Sequence, residues 1–211
     1  MKVVNNSTLI LDNLLFDSPD DFYFLQIIQR KKDGNDTGRG NNGARLIKAY
    51  YIRSQEHLIS KMDKIIELCH NNNARAYISV NKRSFYKVSC GCQIKLGTML
   101  MENNCFQAPR VWDHVCGETP ALSGKHLLRL IDVDTTSEEE LDIILNTISR
   151  CRGNDDGDER VKFIVPTLNG FHVITSKFDV EQFAQELAIQ KLDVPTIMRD
   201  AATLMYYEQV M

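Results

Sequence analysis

An apolar segment that ends in two aspartates separated by one residue places the strongest constraint on how this chain folds. In a β-strand alternate side chains lie on one face, so Asp132 and Asp134, at the end of the segment from Leu127 to Val133, would point the same way. Neighbouring carboxylates repel and raise each other's pKa unless a cation or strong hydrogen-bond donors compensate. The pattern therefore predicts a divalent-metal site at a strand end.

A predicted hairpin follows the acidic strand, and one predicted helix separates the two. Asn169 and Gly170 separate two apolar segments, and Asn-Gly is typical of tight turns because both residues tolerate positive φ. If Phe171 and Val173 enter the core, His172 projects to the other face. A lone strand histidine is usually a surface or hydrogen-bonded residue, but the preceding acidic strand favours a shared site on one sheet face.

Length and composition predict a compact mixed α/β protein. A chain of 211 residues can bury a substantial core in one domain or two small lobes. The net charge of −3 supplies no overall basic field, so nucleic acid would have to be bound by local patches. Because the chain has neither an apolar span of membrane length nor a secretory leader, we expect a cytoplasmic protein without a membrane partner, with its six cysteines reduced.

The middle of the chain has the pattern of a βαβ unit. A strand over 46–52, a helix that begins after Ser54 and a strand over 75–80 favour parallel strands with a right-handed crossover. A weaker helical pattern covers 85–100, and an irregular connector is predicted over 101–123.

The carboxyl-terminal part alternates helices and strands. Hydroxyl and acidic residues over 135–140 predict one helix start, and Asp179 is the expected N-cap of another. Strands are expected at 196–198 and 203–207.

These elements group into three predicted units. Residues 1–44 form an amino-terminal segment with a mobile polar loop, 45–124 an αβ module with its connector, and 125–211 a second subdomain that carries the acidic strand and the hairpin.

The polar loop over 30–43 has two interpretations. It could close over a phosphate chain through Lys31, Lys32 and Arg39, or it could be a solvated surface loop. Lys82 and Arg83, which follow a predicted strand, also have two interpretations. They could contact phosphate or template, or they could be exposed charges at the start of a helix.

A zinc site formed by cysteine and histidine is a further alternative. Cys90 and Cys92, and likewise His114 and Cys116, are separated by one residue, whereas structural zinc sites usually space paired ligands by two to four. Buried or half-exposed thiols are the other interpretation.

The order of these motifs resembles the catalytic core of the archaeo-eukaryotic primase superfamily, over roughly residues 45–207. In that superfamily a strand ending in hydrophobic-Asp-hydrophobic-Asp binds divalent metals, which Asp132 and Asp134 match. A later Gly-x-His or Ser-x-His segment contacts the nucleotide's phosphates, which Gly170 and His172 match in the glycine form. The resemblance implies an α/β (α+β) fold, with an amino-terminal αβ module packed on an RRM-like sheet.

The same resemblance implies a primase-polymerase that uses Mg²⁺ or Mn²⁺ to transfer a nucleotide to a 3′-hydroxyl. The residues that it assigns to metal are Asp132 and Asp134; Asp200 is the candidate for the third acid of that site, and Asp193 is another possibility. The residues expected at the nucleotide's phosphates or the template are His172, Asn169, Gly170, Lys82, Arg83 and Arg75. The implied partners are a nucleoside triphosphate, single-stranded or primed nucleic acid, and a helicase or another replication protein of a phage or mobile element.

Three alternatives stay open from the residues alone. A degenerate relative would bind nucleotide or single-stranded nucleic acid without turnover. A metal-dependent nuclease or phosphoesterase would use the same acids and histidine. In a structural or interaction domain, Asp132 and Asp134 would simply be hydrogen-bonded at a strand end.

Overall fold

The computed structural model describes residues 2–34, 43–118, 121–124, 127–153 and 159–209. Over these ranges the chain forms a mixed α/β structure with two antiparallel sheets and six α-helices. No helix within them is long and apolar enough to cross a membrane.

Strands and helices alternate along much of the chain. In chain order, the strands are β1 (Val3–Asn5), β2 (Asp21–Arg30), β3 (Ala44–Ile52), β4 (Arg75–Ser79), β5 (Arg83–Ser84), β6 (Arg129–Val133), β7 (Val161–Pro166), β8 (Phe171–Thr175), β9 (Thr196–Met198) and β10 (Ala202–Glu208). The helices are α1 (Ser7–Asn13), α2 (Gln55–Asn71), α3 (Phe85–Met101), α4 (Val111–Cys116), α5 (Glu138–Arg150) and α6 (Val180–Ile189).

The large sheet has the order β1-β10-β4-β2-β3, and β5 pairs with β2 beside this path. Because β3 and β4 are both antiparallel to β2, they run in the same direction, as the βαβ pattern predicts. They are not neighbours, however, since β2 lies between them. The sheet thus draws strands from all three units into which the sequence divides at residues 44 and 124.

One face of the large sheet is buried beneath α2. Leu58, Ile65 and Cys69 recur at helical spacing along α2 and pack in one apolar cluster with Leu25 of β2 and Ile78 of β4. All five side chains are almost completely buried, so this cluster is the main core of the large sheet.

The small sheet has the order β7-β8-β6-β9, built by a β-α-β-β-α-β segment. Ile131, Val133 and Val173 pack against α5 and α6. Leu130 and Ile174, which alternate with them, belong to a second cluster on the opposite face. That second cluster includes Val80 and Ala201, which adjoin β4 and β10 of the large sheet, so the two sheets are packed together.

The local signals for helix starts are confirmed. The Ser54 hydroxyl accepts from the His57 amide at 3.0 Å, and the Asp179 carboxylate accepts from the Gln182 amide at 3.0 Å. Ser137 likewise accepts from the amide at the third helical position of α5.

Two predictions of irregular structure are wrong over part of their length. The predicted connector contains a 3₁₀ turn, Ala108–Arg110, and α4, which packs on α3 through Val111 and Val115. In the polar loop, Lys31–Asp33 forms a 3₁₀ turn, whereas Arg39 lies outside the described residues.

Candidate functional site

Asp132 and His172 face each other across two neighbouring strands. They are directly paired in the antiparallel ladder of β6 and β8, and His172 Nε2 lies 3.5 Å from Asp132 Oδ1. Phe171 and Val173 pack toward the helices, as expected, and leave the imidazole on the other face. The acidic strand and the hairpin histidine therefore meet on one face of the small sheet, where 12% of the His172 side chain and 35% of the Asp132 side chain are exposed.

The second nitrogen of the imidazole contacts the large sheet. His172 Nδ1 lies 3.0 Å from the hydroxyl oxygen of Thr203, a buried residue of β10. When Nε2 carries its proton toward Asp132, Nδ1 accepts a hydrogen bond from that hydroxyl, and both ring nitrogens are satisfied. Thr203 thus fixes the orientation of the ring between the two sheets.

The charges around Asp132 favour its ionised form. The hydrogen bond with His172 is the largest cause that lowers the pKa of Asp132; burial opposes it, while the charges of His172, Lys32 and Arg30 lower the pKa further. Asp132 is therefore a carboxylate at neutral pH, able to act as an oxygen ligand for a cation.

Gly170 brings the hairpin turn against the end of the acidic strand. Neither Asn169 nor Gly170 has a positive φ, so the expected reason for this Asn-Gly pair is wrong. A Cβ on Gly170 would instead lie 2.0 Å from the carbonyl oxygen of Val133 and 2.9 Å from the amide nitrogen of Thr135. A glycine is needed at position 170 because the backbone of the hairpin turn lies against the backbone of Val133 and Thr135, the two residues that flank Asp134.

The amino terminus holds this turn in place. The Lys2 ammonium donates to the carbonyl of Leu168, and Asn6 Nδ2 donates at 2.9 Å to the carbonyl oxygens of Pro166 and Leu204. Leu168 also packs in an apolar cluster with Tyr77 of the large sheet. The hairpin is therefore attached through its turn as well as through its strands. Asn169, which lies in this turn, is exposed.

Asp132 and Asp134 are the acidic pair available to a divalent cation. Asp134 is exposed and lies one residue beyond the end of β6, two residues from Asp132. Within the described ranges no group of three or more His, Cys, Asp or Glu side chains could hold a metal. Mg²⁺ is commonly bound by one or two carboxylates together with substrate phosphates, so this pair fits a cation that binds along with a phosphate ligand.

Asp200 does not join this pair, contrary to its predicted role as a metal ligand. The β6–β9 register pairs Asp132 with Thr196, which places Asp200 beyond the opposite end of β6. There its two carboxylate oxygens accept from Arg83 Nη2 at 3.0 and 2.9 Å. Arg83 is only 3% exposed and also donates to the Cys116 carbonyl at 2.7 Å, so it links elements of the core and is not placed to bind template.

The other two predicted phosphate or template cations are also engaged within the fold. Lys82 contacts the carboxylates of Asp17 and Asp21, with 3.0 Å between Nζ and Asp21 Oδ2. Arg75 is buried and paired with Asp33. These pairs explain both residues structurally, because a buried or largely buried cation needs a compensating anion.

The positive charge that acts on Asp132 comes instead from Arg30, the last residue of β2, and from Lys32, in the turn that follows β2. The cationic composition of the polar loop is the sequence signal for Lys32. Thr203 has no such signal, because its role depends on two distant strands packing together.

The cysteines considered for zinc do not form a metal group within the described ranges. All six are free thiols, and Cys105 is exposed. Burial raises the pKa of Cys69 and of Cys116 to about 12, so both are protonated and unreactive in the folded protein.

No family model, no curated protein and no solved structure matches this sequence. The functional conclusion therefore rests on the side chains. They provide an ionised carboxylate paired with an oriented imidazole, a second exposed carboxylate, and cations nearby.

Proposed function

We propose that this protein is a primase-polymerase-like nucleotidyltransferase that transfers a nucleotide to a 3′-hydroxyl on a nucleic-acid template. The observation that carries this proposal is the direct cross-strand pair of Asp132 and His172, with Gly170 packed against the strand end that bears Asp134. A carboxylate paired with an imidazole, with a second carboxylate two residues further along the chain, supplies the kinds of group that a metal-bound triphosphate requires.

The topology of the small sheet supports the RRM-like part of the proposal. Numbered within their own β-α-β-β-α-β segment, the strands β6, β7, β8 and β9 lie in the order 4-1-3-2. This is the arrangement of ferredoxin-like and RRM sheets. The large sheet then corresponds to the amino-terminal αβ module, enlarged by β1, β2 and β10.

Each side chain has a defined task in this scheme. Mg²⁺ or Mn²⁺ bound at Asp132 and Asp134 would lower the pKa of the attacking hydroxyl and stabilise charge on the transferring phosphate. Asp132 is held ionised by His172 and the neighbouring cations. Once a cation occupies the Asp132 carboxylate, the Nε2–H of His172 would turn from Asp132 to a phosphate oxygen, and Thr203 would keep the ring in position for it.

One observation favours a second candidate, nucleotide binding without turnover. Asp200 is engaged by Arg83, so two carboxylates remain where the superfamily uses three acids. A degenerate site of this kind would bind the metal-nucleotide complex but would not align a 3′-hydroxyl.

A labelled-nucleotide assay on single-stranded template, with Mg²⁺ or Mn²⁺, tests the proposal. We expect Asp132→Asn to fold normally and lose incorporation by about a hundredfold or more, because the variant lacks a metal-binding charge. Asp142→Asn, which alters an exposed acid of α5, is the matched control and should retain full incorporation.

The outcomes separate the alternatives. Equal incorporation by the parent and Asp132→Asn would refute this mechanism. Triphosphate binding without incorporation by the parent would assign the second candidate. Release of nucleotides from nucleic acid, with no triphosphate added, would identify a nuclease or phosphoesterase instead.

A further inference from the structure

The 3₁₀ turn Lys31–Asp33 is firmly attached to the large sheet. The Asp33 carboxylate accepts from Arg75 Nε at 2.7 Å and also from Nη2 of the same guanidinium. Asn73 Nδ2 donates to the Asp33 carbonyl at 2.9 Å, and Gly34 ends the turn with φ +82°. This part of the predicted mobile loop is thus held by side chains of β4 and the residues before it.

Arg75, the anchor of the turn, is held in turn by its own surroundings. It is 8% exposed, and its guanidinium carbon lies 4.5 Å from the centre of the Tyr207 ring. The Asp33 side chain is also almost fully buried. Separating this pair would leave a buried charge uncompensated, so the turn has one strongly preferred position.

A continuous set of contacts leads from this turn to the Asp132 site. Arg30 Nη1, just before the turn, donates to the Tyr77 hydroxyl at 3.0 Å. Tyr77 and Leu168 of the hairpin turn both pack against one buried apolar cluster of Val4, Leu204 and Tyr207. The same hairpin turn carries Gly170 against the backbone of Val133. The 3₁₀ turn and the hairpin turn therefore border the same apolar cluster, and the hairpin turn lies against the end of the acidic strand.

Lys32, like its neighbour Lys31, is an exposed cation of this turn. Its charge lowers the pKa of Asp132, in agreement with the contacts just described. A lysine whose charge acts on Asp132 is suited to bind an anion that the same carboxylate holds through a cation. The phosphate chain of a metal-bound triphosphate is such an anion.

We propose that Lys32 binds the phosphate chain of the nucleoside triphosphate and that the Asp33–Arg75 pair positions it. The inference rests on the proposed function for the identity of the ligand, but it concerns binding and does not require turnover. Lys32 would contact the phosphates farther from the nucleoside, so it would distinguish a triphosphate from a monophosphate.

Calorimetric titration with Mg²⁺–ATP and with AMP tests this proposal in the full chain. Lys32→Gln should weaken triphosphate binding about tenfold, the loss expected for one charge-assisted hydrogen bond, and leave monophosphate binding within about twofold. Lys31→Gln is the matched control, since it removes the neighbouring exposed lysine of the same turn and should leave both affinities unchanged.

Asp33→Asn tests the positioning role. With Lys32 retained but its turn released, the preference for triphosphate over monophosphate should fall by about the same factor as in Lys32→Gln. A residue that only supports the fold would lower both affinities together. A Lys32 that only neutralises Asp132 would leave the ratio of the two affinities unchanged.

The result that overturns the Lys32 proposal is distinct from failure of the proposed function. If Lys32→Gln and Lys31→Gln bind triphosphate as the parent does, while Asp132→Asn abolishes binding, the Lys32 proposal is wrong and the proposed function stands. If the parent binds no triphosphate, both are wrong.

Discussion

Replacing Gly170 by alanine perturbs the closest backbone approach at the site. The new Cβ would lie 2.0 Å from the Val133 carbonyl oxygen, 3.0 Å from the Val133 carbonyl carbon and 2.9 Å from the Thr135 amide nitrogen. Ordinary van der Waals contact begins near 3.4 Å, so the hairpin turn or the end of β6 must move by more than an ångström. All three atoms belong to the backbone and cannot rotate away.

The expected cost follows from this geometry. Overpacking a well-packed site costs about 1 to 3 kcal/mol, and the rigid partners here place Gly170→Ala at the upper end, about 3 kcal/mol. For a chain of this length, that loss lowers Tm by about 6 to 12 °C. Since the displacement separates the hairpin from the strand end, nucleotide affinity should also fall.

Urea and thermal unfolding, followed by circular dichroism, measure this effect. Gly97→Ala is the matched control: nothing lies within 4 Å of its added Cβ, and alanine inside α3 should stabilise the protein by up to about 1 kcal/mol. If Gly170→Ala is as stable as the parent, the hairpin does not press against the acidic strand and the proposed site geometry is wrong.

Three further predictions concern the side chains around the site. Thr203→Val should cost about 1 to 3 kcal/mol and change the ¹⁵N shifts of the His172 ring, because Nδ1 loses its partner, whereas Thr203→Ser should preserve those shifts. Asp200→Asn should cost about 3 to 5 kcal/mol in urea denaturation, since Arg83 is left buried and uncompensated, yet leave Mg²⁺–nucleotide affinity unchanged; a loss of affinity without destabilisation would make Asp200 a metal ligand after all. The pKa of Asp132 is lowered in the folded state, so its stabilising contribution is present above the ordinary value of 3.8 and is lost as pH falls through the lowered pKa. The stability difference between the parent and Asp132→Asn, followed from pH 7 to pH 2, should therefore disappear at the acid end; a difference that grows there would contradict this assignment.

The parts of this fold that can be predicted depend on local sequence. The caps at Ser54, Ser137 and Asp179 follow from residues within one helical turn, and the strand alternation that pairs Asp132 with His172 has a period of two. Both signals are contained in short windows, so neither depends on how distant segments pack.

The parts that cannot be predicted depend on segments distant in the chain. The insertion of β2 between β3 and β4 is a long-range pairing that no local pattern specifies. The same holds for Lys82, Arg83 and Arg75, because a cation at either end of a strand has the same local sequence pattern whether it binds a ligand or a carboxylate of the fold. Gly170 is a required glycine, as the turn pattern indicates, but the reason is an approach by another strand and not its own backbone angle.

Paramagnetic broadening by Mn²⁺ tests the central claim most directly, because it locates the metal-nucleotide complex on the folded protein. When substoichiometric Mn²⁺ is added with a nucleoside triphosphate, the ring signals of His172 should broaden first, while those of His70, an exposed imidazole beside Glu208, stay sharp. The selective broadening should disappear in Asp132→Asn. Equal broadening of His70 and His172, or selective broadening that persists in Asp132→Asn, would contradict a site formed by the acidic strand and the hairpin histidine.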